Sequence, residues 1–396
     1  LLPWRDVSNA RHVRHELAAE ATRWEPVQDF DRYQSLDLLR GFALFGVLMV
    51  NLLDFFRVSL FDHILHFHSH PGWANHAVDV LAAGLLEFKA FALFSLTFGI
   101  GMAIQAERAR HRGIRVELFL ARRLLILLAF GMCHMLLVSN VDILMLYAIC
   151  GLLVTPLLRV PGIVLAGVGL ACIYLPVVLA AGFSFPSGAA LAPHAEEATR
   201  VYGHGSFGDI LVFRWNETRH LMLPLLAGVA QRTLGLMFFG AAVWRYGIVQ
   251  NPGRHRRLLW AVCLVAGFVG AINTIGELTS HPSALNLVGA HVPLALAYTA
   301  GILKLGRSAW LSPIAALGRM ALSNYLAQSV LFGLVFYGYG LGLFGQLAPA
   351  PTAALGVCVY AGQVAFSVWW LKRYRFGPFE WLWRSLTYGR LQPMRS

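Results

Sequence analysis

Hydrophobic residues along this chain gather into about ten blocks of roughly 20, each long enough to cross the hydrocarbon core of a bilayer as an α-helix. The blocks fall at about 36–56, 78–104, 121–139, 141–158, 162–182, 221–245, 258–276, 284–305, 318–340 and 352–371. No stretch carries the alternating apolar and polar pattern of strands. A chain in lipid must satisfy its backbone groups internally, so the pattern predicts helices throughout. The expected fold is all-α, a polytopic membrane helical bundle with about ten transmembrane helices. Within the second block, Val78 to Glu87 reads as an amphipathic surface helix, with the chain entering the membrane at Lys89.

The blocks divide the chain into a polar N-terminal arm (1–35), a first helical half (36–182), a connection (183–220), a second helical half (221–372) and a tail (373–396). The arm has no apolar core after its basic start and does not read as a signal peptide. The 183–220 connection mixes Pro, Gly, Ser and acidic residues and reads as a lid or surface loop, with an amphipathic stretch near Phe207 to Trp215.

Basic residues set the expected orientation. Arg5, Arg11, Arg14, Arg23 and Arg32 lie in the arm, Arg108, Arg110, Arg112, Arg115, Arg122 and Arg123 follow the second block, and Lys372, Arg373, Arg375, Arg384, Arg390 and Arg395 lie in the tail. Alternate connections hold only Arg57 in one case and Arg200, Arg214 and Arg219 in the longest. The rule places both termini in the cytoplasm. Of the 396 residues 57% are hydrophobic, which leaves too little polar surface for a water-soluble fold. The net charge of +12 follows from the loop asymmetry and from attraction to anionic membrane lipid, so no nucleic-acid partner is expected. Cys133, Cys150, Cys172, Cys263 and Cys358 all sit in apolar blocks without disulfide or metal spacing.

Polar groups inside the blocks carry the candidate chemistry, because an ionisable side chain in hydrocarbon is costly and faces the bundle interior or a cavity. Asp37 and Arg40 share a helical face at the cytoplasmic entrance, as a local ion pair or a substrate contact, and Asn51 stands nearly three turns further out. The third span adds His134, and Asp142 sits at the turn that follows. Gln231 and Arg232 fall in the sixth, and Arg319, Ser323, Asn324, Tyr325 and Gln328 in the ninth. Asn324 and Gln328 share a face and suit either a site or interhelical hydrogen bonds. The loop from Arg57 to Ala77 alternates His66, His68 and His70. It reads as a solvated loop, a metal-binding run or the seat of one catalytic histidine; without Cys or a clear set of nearby carboxylates, no metal is expected.

Ser35-Leu36-Asp37-Leu38-Leu39-Arg40-Gly41 running on to Asn51, FKAFALFSLTFGIGMAI from Phe88, NVDILMLYAICGLL from Asn140, GRMALSNYLAQS from Gly318 and RFGPFEWLWRSLTYG from Arg375 together resemble the YeiB family of bacterial integral membrane proteins, a domain of unknown function. The resemblance implies a multi-pass protein of the bacterial inner membrane. More remotely, the chain is similar to heparan-α-glucosaminide N-acetyltransferase and its superfamily. Those proteins move acyl groups from cytoplasmic acyl-CoA to an acceptor across the membrane. The order Val50-Asn51, His70-Pro71-Gly72-Trp73 and Asp79 follows that enzyme's pattern. The likeness implies His70 as the catalytic histidine and Asn51 as its partner.

The expected function is therefore a membrane acyltransferase that uses acyl-CoA or acetyl-CoA as donor and a small molecule or glycan as acceptor. A histidine suits the base, and Asn51 or Asn324 suits the developing oxyanion. Arginine binds phosphate through its fork, so Arg40, Arg122, Arg123 and Arg319 are expected at a basic mouth for CoA. Asp37, Asn324 and Gln328 complete the donor-binding set. Asn51, His70, His134 and Asp142 belong to the outer half, where transfer would occur. The same polar groups would equally line a small-solute transporter or channel. A homodimer is expected from the superfamily resemblance, with the Trp- and Phe-rich tail as a candidate interface.

Overall fold

The computed structural model describes residues 33–66, 70–139, 142–178, 188–279, 284–305 and 308–395. Residues 1–32 of the polar arm and His68 lie outside them. Among the described residues every regular element is helical, beside an isolated bridge between Tyr374 and Arg395.

The first helix, α1 (Gln34–Val50), carries Asp37 in its first turn, where the helix dipole favours a negative charge, and runs into a π-helical turn at Asn51–Phe56. Short helices α2 (Leu60–Leu65) and α3 (Trp73–Leu81) follow, the latter ending in a second π-turn at Ala82–Leu86. The chain then breaks at Glu87 and Phe88, whose backbone is left-handed at φ 55°, and restarts as α4 (Lys89–His111). The sequence reading put the new helix at this position. The long helix α5 (Val116–Leu137) and the shorter α6 (Ile143–Val154) pack as a hairpin, and α7 (Gly162–Val178) comes next.

The connection expected as a loop over 183–220 is largely helical instead, as α8 (Gly188–His204) and α9 (Phe207–Glu217). A capping box at Ser206 and Asp209 starts α9, which continues through a π-turn into α10 (Leu223–Arg245), so that Phe207–Arg245 is one helical run of 39 residues. The expected amphipathic stretch near Phe207 to Trp215 is α9, with Ile210 buried, whereas the mixed composition of α8 hid a second such pattern that buries Ala195, Ala198 and Tyr202. Arg214 is buried as well, its Nη1 donating to the Leu136 carbonyl at 3.4 Å.

Helices α11 (Arg256–Thr279) and α12 (Ala284–Leu305) form a second hairpin. The ninth block divides at Met320 into α13 (Ser312–Arg319) and α14 (Ala321–Phe336), followed by α15 (Pro349–Leu371) and, in the tail, α16 (Pro378–Tyr388). Gly318 lets α13 lie on α1, since a Cβ there would collide with the Asp37 carbonyl. In the interior, α4 packs between α1 and α10, and α16 folds back onto α5.

Burial separates inner from outer helices. In the apolar stretch of Gln34–Phe56, 72% is buried inside the protein, against 17% for Arg256–Thr279 and 11% for Pro349–Leu371. Exposed Leu264, Val265, Phe268 and Ile275 make α11 apolar on its outside too. Such a surface would associate in water and is satisfied by lipid chains. The fold is that of an α-helical membrane protein.

Candidate functional site

A buried stripe on α5, formed by Leu120, Leu124, Leu127, Gly131 and His134, repeats every three or four residues and therefore occupies one helical face. His134 ends that stripe. Its Nδ1 lies 2.7 Å from Asp142 Oδ2, and both side chains are almost wholly buried. Asp142 also caps α6, its Oδ1 accepting from the Met145 N–H at 2.6 Å. One carboxylate thus starts a helix and orients an imidazole. Gly131 makes the approach possible, because a Cβ at that position would strike Met145 N and Asp142 Oδ1. With Asp142 ionised, Nδ1 carries the proton and donates, so Nε2 keeps its lone pair; that buried Nε2 has no hydrogen-bond partner.

Three leucines of the same stripe line a cavity of about 300 Å³. Five arginines enter its wall: Arg40 from α1, Arg108 from α4, Arg123 from α5, Arg319 from α13 and Arg384 from α16. Two acids, Asp37 and Glu380, accompany them. Arg40 Nη1 lies 3.3 Å from Asp37 Oδ1, and the Arg123 guanidinium stacks 3.6 Å over the Trp383 ring. Burial lowers the Arg384 pKa, opposed by Tyr388 and Glu380 and reinforced by Arg40 and Arg108. These positions belong to the start of α1 and α5 and the end of α4, so the charge gathers at one end of the bundle. Further along, Phe94, Phe98, Tyr147, Ile143 and Tyr325 make the wall apolar and aromatic. The Tyr325 ring packs 5.1 Å from the His134 ring, which places the His–Asp pair beside the far end of the cavity.

The other expected site residues fall elsewhere. Arg122 is exposed and donates to the Leu386 carbonyl at 2.9 Å, fastening the tail helix rather than facing the cavity. Asn324 Nδ2 donates to the Met320 carbonyl and to Ser367 Oγ, both at 3.0 Å, and Gln328 Nε2 donates to Gln363 Oε1 at 2.8 Å. Both residues bind α14 to α15 and neither lines the cavity. Asn51 begins the π-turn, half-buried, and lies outside the lining too. His70 Nε2 sits 3.4 Å from Arg57 Nη1; burial and that guanidinium hold its pKa below the usual histidine range. His66 turns to Asp62, 3.0 Å away.

Sequence reasoning did not single out Glu380, which accepts from the backbone N–H groups of Leu322 at 2.7 Å and Ser323 at 3.0 Å. It also gave no role to Lys89, Glu277 and His291, which join Arg232 in a second network. Arg232 Nη1 is 3.1 Å from His291 Nδ1, His291 Nε2 is 3.1 Å from Glu277 Oε1, and Lys89 Nζ is 3.5 Å from Glu277 Oε2. For Lys89 and His291 the signal available in advance was an ionisable residue inside an apolar block.

A family profile described as a protein of unknown function, DUF418, matches residues 243–390. The chain is 34% identical to the uncharacterized protein YxaH of Bacillus subtilis over 93% of its length and 98% of that protein's. It is 28% identical to the uncharacterized protein YeiB of Escherichia coli, covering 92% of this chain and 99% of the other. An uncharacterized 39.9 kDa protein from the amylase 3' region of Bacillus acidopullulyticus is also 28% identical, over 93% and 98%. No solved structure matches the chain. Because these relatives align over nearly their whole lengths, the chain belongs to the YeiB family, DUF418.

Proposed function

We propose that this protein is a multi-pass acyltransferase of the bacterial inner membrane, taking an acyl group from cytoplasmic acyl-CoA to a small-molecule or glycan acceptor on the outer side. The observation that carries the reading is the five-arginine mouth on a cavity whose further wall is mostly apolar and aromatic. Guanidinium groups suit the CoA phosphates, and the aromatic interior suits the pantetheine arm and acyl chain. The His134–Asp142 pair beside the inner end supplies a base. In the proposed reaction His134 Nε2 takes the proton from the acceptor's amine or hydroxyl as that group attacks the thioester carbonyl. The tetrahedral intermediate then expels the CoA thiolate, which recovers the proton from Nε2. Tyr325, in the wall beside His134, is the candidate donor to the oxyanion.

The topology belonging to this reading has about ten spans with both termini cytoplasmic. Cysteine labels at 110–115 and 252–256 are expected to react from the cytoplasm, and labels at 64–70 and 190–204 from outside. Reaction of both sets from one side would remove the transmembrane transfer. The direct test is turnover by purified protein with acetyl-CoA and longer acyl-CoA against a panel of amino sugars and alcohols, alongside CoA binding by calorimetry. Acyl-CoA binding with acyl transfer supports the proposal; failure to bind CoA sinks it.

A second reading, small-solute transport, is favoured by the Lys89, Glu277, His291 and Arg232 network, since ionisable groups joined within apolar helices are characteristic of ion and proton pathways. Solute flux in proteoliposomes without CoA turnover would favour it.

A further inference from the structure

We propose that Asp54, His63 and Glu87 form a binding site for a divalent metal ion of the zinc class, separate from the arginine-lined cavity. The three residues come from different elements: Asp54 from the π-turn that ends α1, His63 from α2, and Glu87 from the break before α4. His63 Nε2 lies 3.6 Å from Asp54 Oδ1 and 4.0 Å from Glu87 Oε1. One donor atom from each residue falls within 4.8 Å of the other two. Bonds of about 2.0–2.1 Å in a tetrahedral site leave ligand atoms roughly 3.3 Å apart, so a cation would draw this triangle inward by a modest distance.

Unmet bonding capacity points to a ligand. The Asp54 side chain is 7% exposed, and its Oδ1 has no hydrogen-bond partner; neither has the buried Oε1 of Glu87. Leaving carboxylate oxygens buried without donors is costly. Nearby cations are aimed elsewhere. Arg57 directs Nε to the Leu53 carbonyl at 3.3 Å and Nη1 to the Leu347 carbonyl and His70, each at 3.4 Å. Lys89 Nζ donates to the Ala83 carbonyl at 2.6 Å and reaches Glu277 at 3.5 Å. A divalent ion would give both buried carboxylate oxygens a partner, with the His63 imidazole as its third ligand.

The donor chemistry selects the ion. One imidazole nitrogen and two carboxylate oxygens, without thiolate, suit zinc and its divalent neighbours better than Cu(I), while Ca²⁺ and Mg²⁺ favour oxygen alone. Three protein ligands leave a fourth position for water or a substrate. From sequence the alternating histidines of the neighbouring loop left a metal-binding run as one of three readings, with no metal expected; in the structure His66 and His70 turn to Asp62 and Arg57. His63 stands at the carboxylates.

The test uses the full chain in detergent, stripped with chelator and then dialysed against micromolar Zn²⁺. Metal analysis is expected to find about one equivalent, with a raised unfolding temperature, because a ligand selective for the folded state stabilises it. D54N, E87Q and H63A should each lose that equivalent, whereas H66A and H70A should keep it. Should H63A fail to fold, the isosteric D54N and E87Q decide, with Co²⁺ absorption as a second readout: ligand-field bands in the wild type must change in E87Q. No bound metal in the folded wild type would overturn the proposal. So would equal stoichiometry in D54N and E87Q, or loss confined to H66A and H70A.

Discussion

His134 and Asp142, eight residues apart, meet across the turn between α5 and α6 with Nδ1 and Oδ2 separated by 2.7 Å. Because Asp142 also caps α6 through its other oxygen, the helix start fixes the carboxylate and the carboxylate fixes the ring. If this pair performs acyl transfer, His134→Ala should lower turnover at least about a hundredfold, the lower scale of general-base catalysis, with CoA affinity near wild type. Asp142→Asn keeps an acceptor for Met145 but replaces the oxygen that orients the imidazole. It should therefore lose turnover while costing less stability than Asp142→Ala, for which cap loss alone is about 1 kcal/mol. His70→Ala is the contrast. Loss of transfer there, with full activity in His134→Ala, would move the chemistry to the histidine loop.

The basic mouth makes a graded prediction. Arg40→Ala and Arg319→Ala should each weaken CoA binding by about 1.5–3 kcal/mol if the arginine binds phosphate directly, the range for hydrogen bonds to charged groups. Arg200→Ala should have little effect, since Arg200 is exposed and lies 3.8 Å from Glu197, three residues earlier on α8. Arg214 is no such control, being buried. Wild-type affinity should also fall with added salt, and less steeply in Arg40→Ala. Calorimetry at two ionic strengths reads both effects; equal losses in Arg40→Ala and Arg200→Ala would argue against a CoA phosphate at this mouth.

Helix positions were legible because a block of apolar residues has one backbone solution in lipid. His134 and Asp142 were legible individually as polar groups at the ends of apolar blocks, and their short separation allowed them to meet. Glu380 and Arg384 were not, since only the folding back of α16 onto α5 brings the tail to the cavity. Asp54 and Glu87 were hidden for a similar reason: a π-turn and a left-handed residue redirect the chain next to each, and hydrophobic periodicity records neither. Sequence placed Arg214 in the longest connection and expected an amphipathic stretch there, but gave no sign that the guanidinium itself is buried on the inner face of α9.

Asn324 and Gln328 share a face of α14, and their hydrogen bonds predict a structural effect. Asn324 reaches Ser367, Gln328 reaches Gln363, and Gln363 Nε2 returns to the Asn324 carbonyl at 3.0 Å. Asn324→Ala and Gln328→Ala are each expected to destabilise the protein by about 0.6–1.7 kcal/mol, the scale of interhelical hydrogen bonds in membranes. CoA affinity should hardly change. A double-mutant cycle between Asn324 and Ser367 checks the coupling, and a large loss of CoA affinity at unchanged stability would restore Asn324 to the donor site.

Glu380 ties the tail helix to α14 and titrates under opposing influences. Burial raises its pKa above the ordinary 4.5, although the bonds from Ser323 and Leu322 favour the carboxylate. Between the ordinary value and the raised one, the folded state binds more protons than the unfolded state, so this group's contribution to stability falls as pH rises through that window. Each unit of displacement is worth about 1.4 kcal/mol. Glu380→Gln keeps an acceptor for the Leu322 and Ser323 N–H groups but cannot ionise. Its unfolding free energy in detergent should therefore lose this decline, and the wild-type minus Glu380→Gln difference should become less favourable to the wild type from pH 4.5 upward. Denaturation curves at several pH values measure that difference. A difference that stays flat, or slopes the other way, would show that the buried carboxylate is held ionised by its hydrogen bonds.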